Sequence, residues 1–235
     1  MHLDLRLERA LERVELVTGV GTRDAGRMCV MSLVACLAGE EHTDSPACAS
    51  PLIRAFAIPL NDNMPHGVRQ RLKPFAPRIL GTQDGQDAVR AELLRQSLSQ
   101  EILPKLGGRP TPQTRRFTGA LWRLWSLLGV RRLEREAEWM MDRAVALADG
   151  ADMARAIAAA GAVGRLLARA AREATDPREA DRLWDVAIGL LDRLCDVGGV
   201  RVPAPQAWAT RLEQVFEPRR ARGVAAGVAA GVVRP

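Results

Sequence analysis

The segment TRDAGRMCVMSLVACLAGEEHTDSPACASPLIRAFAIPLND, residues 22–62, decides how the chain is read. Its first part, Thr22 to Ala38, predicts a helix. Thr22 is a suitable N-cap, Asp24 sits near the positive end of the helix dipole, and Gly39 suits the left-handed residue that ends a helix. From Met28 to Ala38 the only polar side chain is Ser32, so this helix is expected to be buried on nearly every side. At helical spacing, Ala25, Cys29, Ser32 and Cys36 share one face. Gly39 to Ser50 reads as a loop. Ser50-Pro51 then opens a second helix, a capping residue followed by proline in the first turn. Pro59 is expected to interrupt that helix and Asn61-Asp62-Asn63 to end it.

The pattern of Cys29, Ser32, Gly39-Glu40, Asp44, Pro46, Cys48, Pro51 and Asn61-Asp62 resembles a family of bacterial proteins to which no function is attached. The resemblance spans residues 27–82 and implies a location without a chemistry.

Outward from this segment the chain is helical in character. Of its 235 residues, 47% are hydrophobic and 26% charged, ordinary values for a globular protein, and there is no tyrosine. Alanine, leucine and arginine, all good helix formers, dominate. No long alternation of β-branched residues signals a sheet. No apolar run reaches the roughly 20 residues of a membrane span. The first residues lack the basic-then-apolar order of a secretion signal, so a cytoplasmic protein with reduced thiols is expected.

Residues 3–17 predict an amphipathic helix with Leu7, Leu11 and Val14 on its apolar stripe. Met64 to Leu80, with Pro65, Pro74 and Pro77, allows only short helical turns. Thr82 or Asp84 is the expected cap of a helix running to about Leu103, after which Pro104 and Gly107-Gly108 break the chain. Further helices are expected at about 113–128, 130–148, 151–174 and 177–197. Asp176-Pro177 with Glu179 marks the last start, and Gly198-Gly199 the stop. A short helix to Phe216 follows. The tryptophans do not keep the period of about 34 residues of a tetratricopeptide array. The fold expected is therefore all-α, an irregular bundle of about seven to nine helices with a proline-rich middle. Its parts are a subdomain at 1–106, a linker at 107–112, a bundle at 113–216 and a disordered tail at 217–235.

The net charge of +6 points to nucleic acid only until it is located. Arg219, Arg220, Arg222 and Arg234 lie in the tail, and removing their four charges leaves +2 for residues 1–218. The best basic patch is Arg109, Arg115, Arg116, Arg123, Arg131 and Arg132, interleaved with Phe117, Trp122 and Trp125. Glu134, Glu136 and Glu138 oppose it, and the tryptophans also suit a core face.

The carboxylates Glu40, Glu41, Asp44 and Asp62 bracket the 40–66 region. Glu40, Asp44 and Asp62 are the candidates for acid–base chemistry, and Asn61, His42 and His66 for ligand contacts. The bland reading of the same residues is that Asp44 forms an Asx-turn onto Ser45-Pro46 and Asn61-Asp62 closes a helix. His42, Cys48 and His66 have the chemistry of metal ligands, but no Cys-x-x-Cys or His-x3-His spacing fixes two on one turn. Cys48, just before the cap of a helix, is expected to have a lowered pKa. The sequence leaves open which cofactor, if any, is bound. With no complete catalytic constellation, the first reading is a module that binds another protein. The alternatives are an enzyme or ligand-binding protein using the 40–66 region, and a nucleic-acid-associated protein using Arg115–Arg132 and the tail.

Overall fold

The computed structural model describes residues 5–107, 135, 137–139, 141–143, 152–198 and 205–216. It is all-α apart from three strands of two residues each. Residues 108–112 of the proposed linker, most of the 113–148 region and the tail lie outside the described residues. No described helix is long and apolar enough to cross a membrane.

Helix α1, Leu5–Glu12, buries Leu7, Ala10 and Leu11. It stops well short of residue 17. After it, Val14 and Leu16 are buried while Glu15 and Val17 are half-buried, the alternation of a strand. Strand β1 (Glu15–Leu16) pairs in parallel with β3 (Arg27–Met28), which pairs antiparallel with β2 (Gly21–Thr22). The expected start of a helix at Thr22 is thus corrected: Thr22 makes no side-chain cap and a single 3-10 turn, Arg23–Ala25, follows it. Gly21 explains why the chain can pair here. Its φ is +77° and a Cβ at that position would lie 2.3 Å from the Arg27 carbonyl.

Helix α2 starts only at Val30 and runs to Ala38, and every residue from Val30 to Leu37 is buried. Its N-cap is Cys29, whose sulfur accepts from the Ser32 N–H at 3.3 Å. Cys29 therefore ends the turn before the helix, and the stripe with Ala25 is not formed. Gly39 ends α2 at φ +80° as its sequence position predicts.

Helix α3, Pro51–Asn63, begins as expected, with Ser50 Oγ accepting from the Ile53 N–H at 3.2 Å. Pro59 does not interrupt it. The proline withholds the N–H that would reach the Ala55 carbonyl, and a glycine of another helix faces that carbonyl. This neighbour is α8, Met153–Glu173, the principal partner of α3. A Cβ at Gly161 would stand 3.5 Å from the Ala55 carbonyl oxygen, and one at Gly164 would stand 2.6 Å from that of Phe56. Helix α9, Pro177–Asp196, packs on the α8 side and starts at the Asp176 cap, which accepts from the Arg178 N–H at 3.0 Å.

Between α3 and α8 the proline-rich segment forms α4 (His66–Gln70), a 3-10 turn at Lys73–Phe75 and α5 (Ala76–Ile79). Helix α6, Asp87–Ser97, continues through a π-turn at Leu98–Ile102 into α7, Leu103–Gly107. Pro104 is expected to break the chain, yet the helix passes it. The π-turn, in which the Leu103 N–H reaches the Leu98 carbonyl, changes the bonding register next to the missing N–H.

Neither Thr82 nor Asp84 caps α6. Both instead serve Arg90, which is fully buried. Asp84 binds its guanidinium through both oxygens at 2.7 and 2.8 Å, and Asp87 accepts at 3.0 Å. The carbonyls of Thr82, Leu194 and Val197 accept at 3.0, 3.2 and 2.9 Å. The last two belong to the end of α9, where helix carbonyls lack partners of their own. Helix α10, Pro205–Phe216, packs on α1 and α2.

The close approach of α3 and α8 has a testable sign. Gly164→Ala is expected to destabilise the fold by about 1–3 kcal/mol through overpacking, although propensity alone favours alanine by ~1 kcal/mol. Gly189, on the exposed side of α9, has nothing within 4 Å of an added Cβ. There the same change is expected to stabilise by about 0.5–1 kcal/mol. Equilibrium denaturation of the two variants checks the opposed signs.

Candidate functional site

Glu40 follows the left-handed Gly39, and its own N–H returns to the Ala35 carbonyl at 2.9 Å. This aims its side chain across the loop. The two carboxylate oxygens accept the N–H groups of Ala47 at 2.7 Å and Cys48 at 3.1 Å. Its carbonyl accepts from Arg23 at 3.1 Å. Glu40 thus closes the 40–48 loop from both ends.

Cys48 is half-buried, and its carbonyl accepts from Gly81 and Gln83, each at 3.1 Å. Burial first, and the adjacent Glu40 carboxylate second, push its thiol up to about 11. The lowered pKa expected from the start of α3 is therefore corrected. That helix end is occupied by Ser50, and Cys48 faces an acid instead.

The Asx-turn expected at Asp44 is also replaced. The turn is closed by Thr43, whose hydroxyl accepts the Ser45 N–H at 3.0 Å. Asp44 is half-buried and Glu41 is exposed. His42 is exposed and donates through Nε2 to the Gly21 carbonyl at 3.2 Å. His66 is exposed at the start of α4, with Nδ1 3.8 Å from Glu15. Cys48 therefore attaches to the 81–83 turn, while His42 and His66 contact β2 and β1, the two outer strands of the small sheet. Among the described residues no group of three His, Cys, Asp or Glu side chains is arranged to hold a metal ion.

Asn61 and Asp62 lie in the last turn of α3 and face the irregular chain before α2. Asn61 is buried. Its Oδ1 accepts from the Val30 N–H at 3.1 Å, and its Nδ2 donates to the Val17 carbonyl at 2.8 Å. Asp62 Oδ1 accepts from the Gly19 N–H at 2.9 Å and from Asn61 Nδ2 at 3.1 Å. Arg69 donates to the carbonyls of Asn61 and Met64 at 2.6 and 2.8 Å, which fixes the helix end itself.

These residues border a cleft lined by Gly19, Cys29, Val30, Asp44, Ile58, Asn61 and Asp62, with a volume of about 10 Å³. That is room for one water molecule. Of the sequence candidates, Asp44, Asn61 and Asp62 meet here, while Glu40, His42, His66 and Cys48 do not line the cleft. Cys29 does line it, although its place in the sequence predicts a residue inside a buried helix. The signal available was Gly26, three residues before it, which breaks the expected helix. Burial pushes the Cys29 thiol up, against the bonds from Ser32. A neutral thiol beside two carboxylates is a poor nucleophile. The arrangement is suited to holding a water-sized polar group rather than to attacking a substrate.

The basic patch of Arg109 and Arg115–Arg132, its aromatic residues and the tail arginines lie outside the described residues. No protein-family model, no curated protein and no solved structure matches the chain.

The raised Cys48 pKa predicts slow alkylation. Iodoacetamide labelling of Cys48 in the folded protein is expected to rise with pH towards about 11. Glu40→Gln, which removes the neighbouring charge, is expected to speed labelling near pH 8. Mass-spectrometric peptide mapping reads both effects. Labelling that saturates near pH 8 in the unmodified protein contradicts the assignment.

Proposed function

We propose that the chain is a non-enzymatic helical module that binds another protein or helps assemble a complex, and that it works in the cytoplasm. The observation that carries this reading is how the polar groups of the 40–66 region are used. Glu40, Asn61 and Asp62 spend their side chains on backbone N–H and C=O groups. A catalytic acid or base needs its side chain free for substrate. All four cysteines are free thiols, which fits a reducing compartment.

A second reading, a small-ligand-binding protein, draws on the cleft at Cys29, Asp44, Asn61 and Asp62. Native mass spectrometry with elemental analysis on untagged protein, purified gently without chelator, separates the two. The interaction reading predicts a stoichiometric protein-sized companion and no small adduct. A stoichiometric metal or small-molecule adduct that Asp44→Ala abolishes overturns it in favour of the cleft.

A further inference from the structure

Helix α10 is joined to the rest of the fold differently from the helices before it. Its principal neighbours are α1, α2 and the 3-10 turn at Arg23–Ala25, elements from the opposite end of the chain. Trp208, Leu212 and Val215, with Ala209, are its buried residues. Their spacing of four and three is that of a helix laid into a groove. Four of its 12 residues are buried, against 12 of 21 on α8, which is buried along more of its length. Around this face stand polar pins. Glu213 pairs through both oxygens with Arg6, a pair whose side chains are 34% and 52% exposed. The Arg13 guanidinium lies 4.2 Å from the centre of the Phe216 ring. Arg211 donates to the Leu37 carbonyl, at the end of α2.

Two of these pins reach beyond α10. Phe216 occupies the space where Gly26 lacks a side chain: a Cβ there would stand 2.3 Å from the ring. Arg211 stands beside Gly39, 3.2 Å from where its Cβ would be, and so against the residue that precedes Glu40. Helix α10 therefore holds the C-terminal end of α2, from which Glu40 closes the 40–48 loop.

We propose that α10 is a latch. It opens and recloses as one unit while α3, α8 and α9 stay folded, and its opening loosens the Glu40–Cys48 loop through the end of α2. The physical basis is the disparity in burial. Segments with few buried apolar side chains and solvent-exposed pins open at lower free energy than the core. This inference is independent of what the protein binds.

Hydrogen–deuterium exchange of the full-length chain tests it. Under native conditions, peptides covering 206–216 are expected to exchange together and faster than those of α8, with residues 40–48 following the same time course. Arg6→Glu, which turns the attractive pair into a repulsive one, is expected to speed α10 exchange by about fivefold and to leave α8 unchanged. Arg6→Glu combined with Glu213→Arg is expected to restore the original rate. Exchange of α10 at the α8 rate in the unmodified protein overturns the latch. So does an Arg6→Glu effect equal in both helices. Unchanged protection of 40–48 while α10 exchanges overturns the coupling to the loop.

Discussion

The side-chain amide of Asn61 bridges two pieces of chain that no helix or long sheet joins. Between Arg13 and Val30 the backbone is irregular, yet Leu16 and Met28 are fully buried. Buried N–H and C=O groups need partners, and losing one costs about 1–3 kcal/mol. The three short strands supply only part of the need. Side chains from α3 and α4 supply more. Asn61 serves Val17 and Val30, and Asp62 serves Gly19. Gln70 accepts from the Leu16 N–H at 3.0 Å and donates to its carbonyl at 2.9 Å, in the manner of an adjacent strand. The end of α3 is thus a template on which the chain before α2 is laid, and α2 takes its position from that template.

Helix α3 must itself be fixed for this to work, and it is held at both ends and along one side. At its start, Thr82 Oγ1 accepts the Ser50 N–H at 2.8 Å, and Ser50 Oγ donates to Asp87. Asp87 also binds Arg90, so the start of α3 and the end of α9 share one polar cluster. A fully buried arginine is costly unless its donors are satisfied, and here carboxylates and carbonyls surround it. Such a cluster specifies how the 82–87 turn sits on α9 more than it adds stability. Along its side, α3 meets α8 where glycines allow backbone carbonyls to approach. At its end, Arg172 of α8 donates to Asn63 at 2.7 Å.

Much of the fold was legible because its signals are local. Ser50-Pro51, Asp176-Pro177 and Gly39 mark helix ends through capping chemistry that depends on neighbouring residues alone. The all-α class followed from composition and periodicity. What was not legible depends on distant partners. Strands of two residues have no periodicity to detect, so α1 was extended and α2 started too early. Pro59 and Pro104 obey the local rule against proline in helices only until a facing helix or a π-turn accommodates them. Nothing local to Arg90 signals its burial, since Asp87 three residues before it is the ordinary spacing of an exposed helix pair. Its carbonyl partners at 194 and 197 lie about a hundred residues away. The candidate site shows the same division. Asp44, Asn61 and Asp62 are brought together, but the work of Asn61 and Asp62 is visible only once Val17, Gly19 and Val30 are placed beside them. Glu40 is local to its partners, yet its role as a loop brace is indistinguishable in sequence from that of an acid awaiting a substrate.

The central claim is that the polar side chains of this region act as partners for backbone. The most direct measurement is amide-proton exchange by nuclear magnetic resonance at Gly19, Val30, Ala47 and Cys48. Their N–H groups are the ones received by Asp62, Asn61 and Glu40. The account predicts that all four are protected well above unstructured rates, although none lies in the interior of a helix or strand ladder. Exchange of these four amides at unstructured rates, in a protein whose α3 and α8 amides are protected, would contradict it.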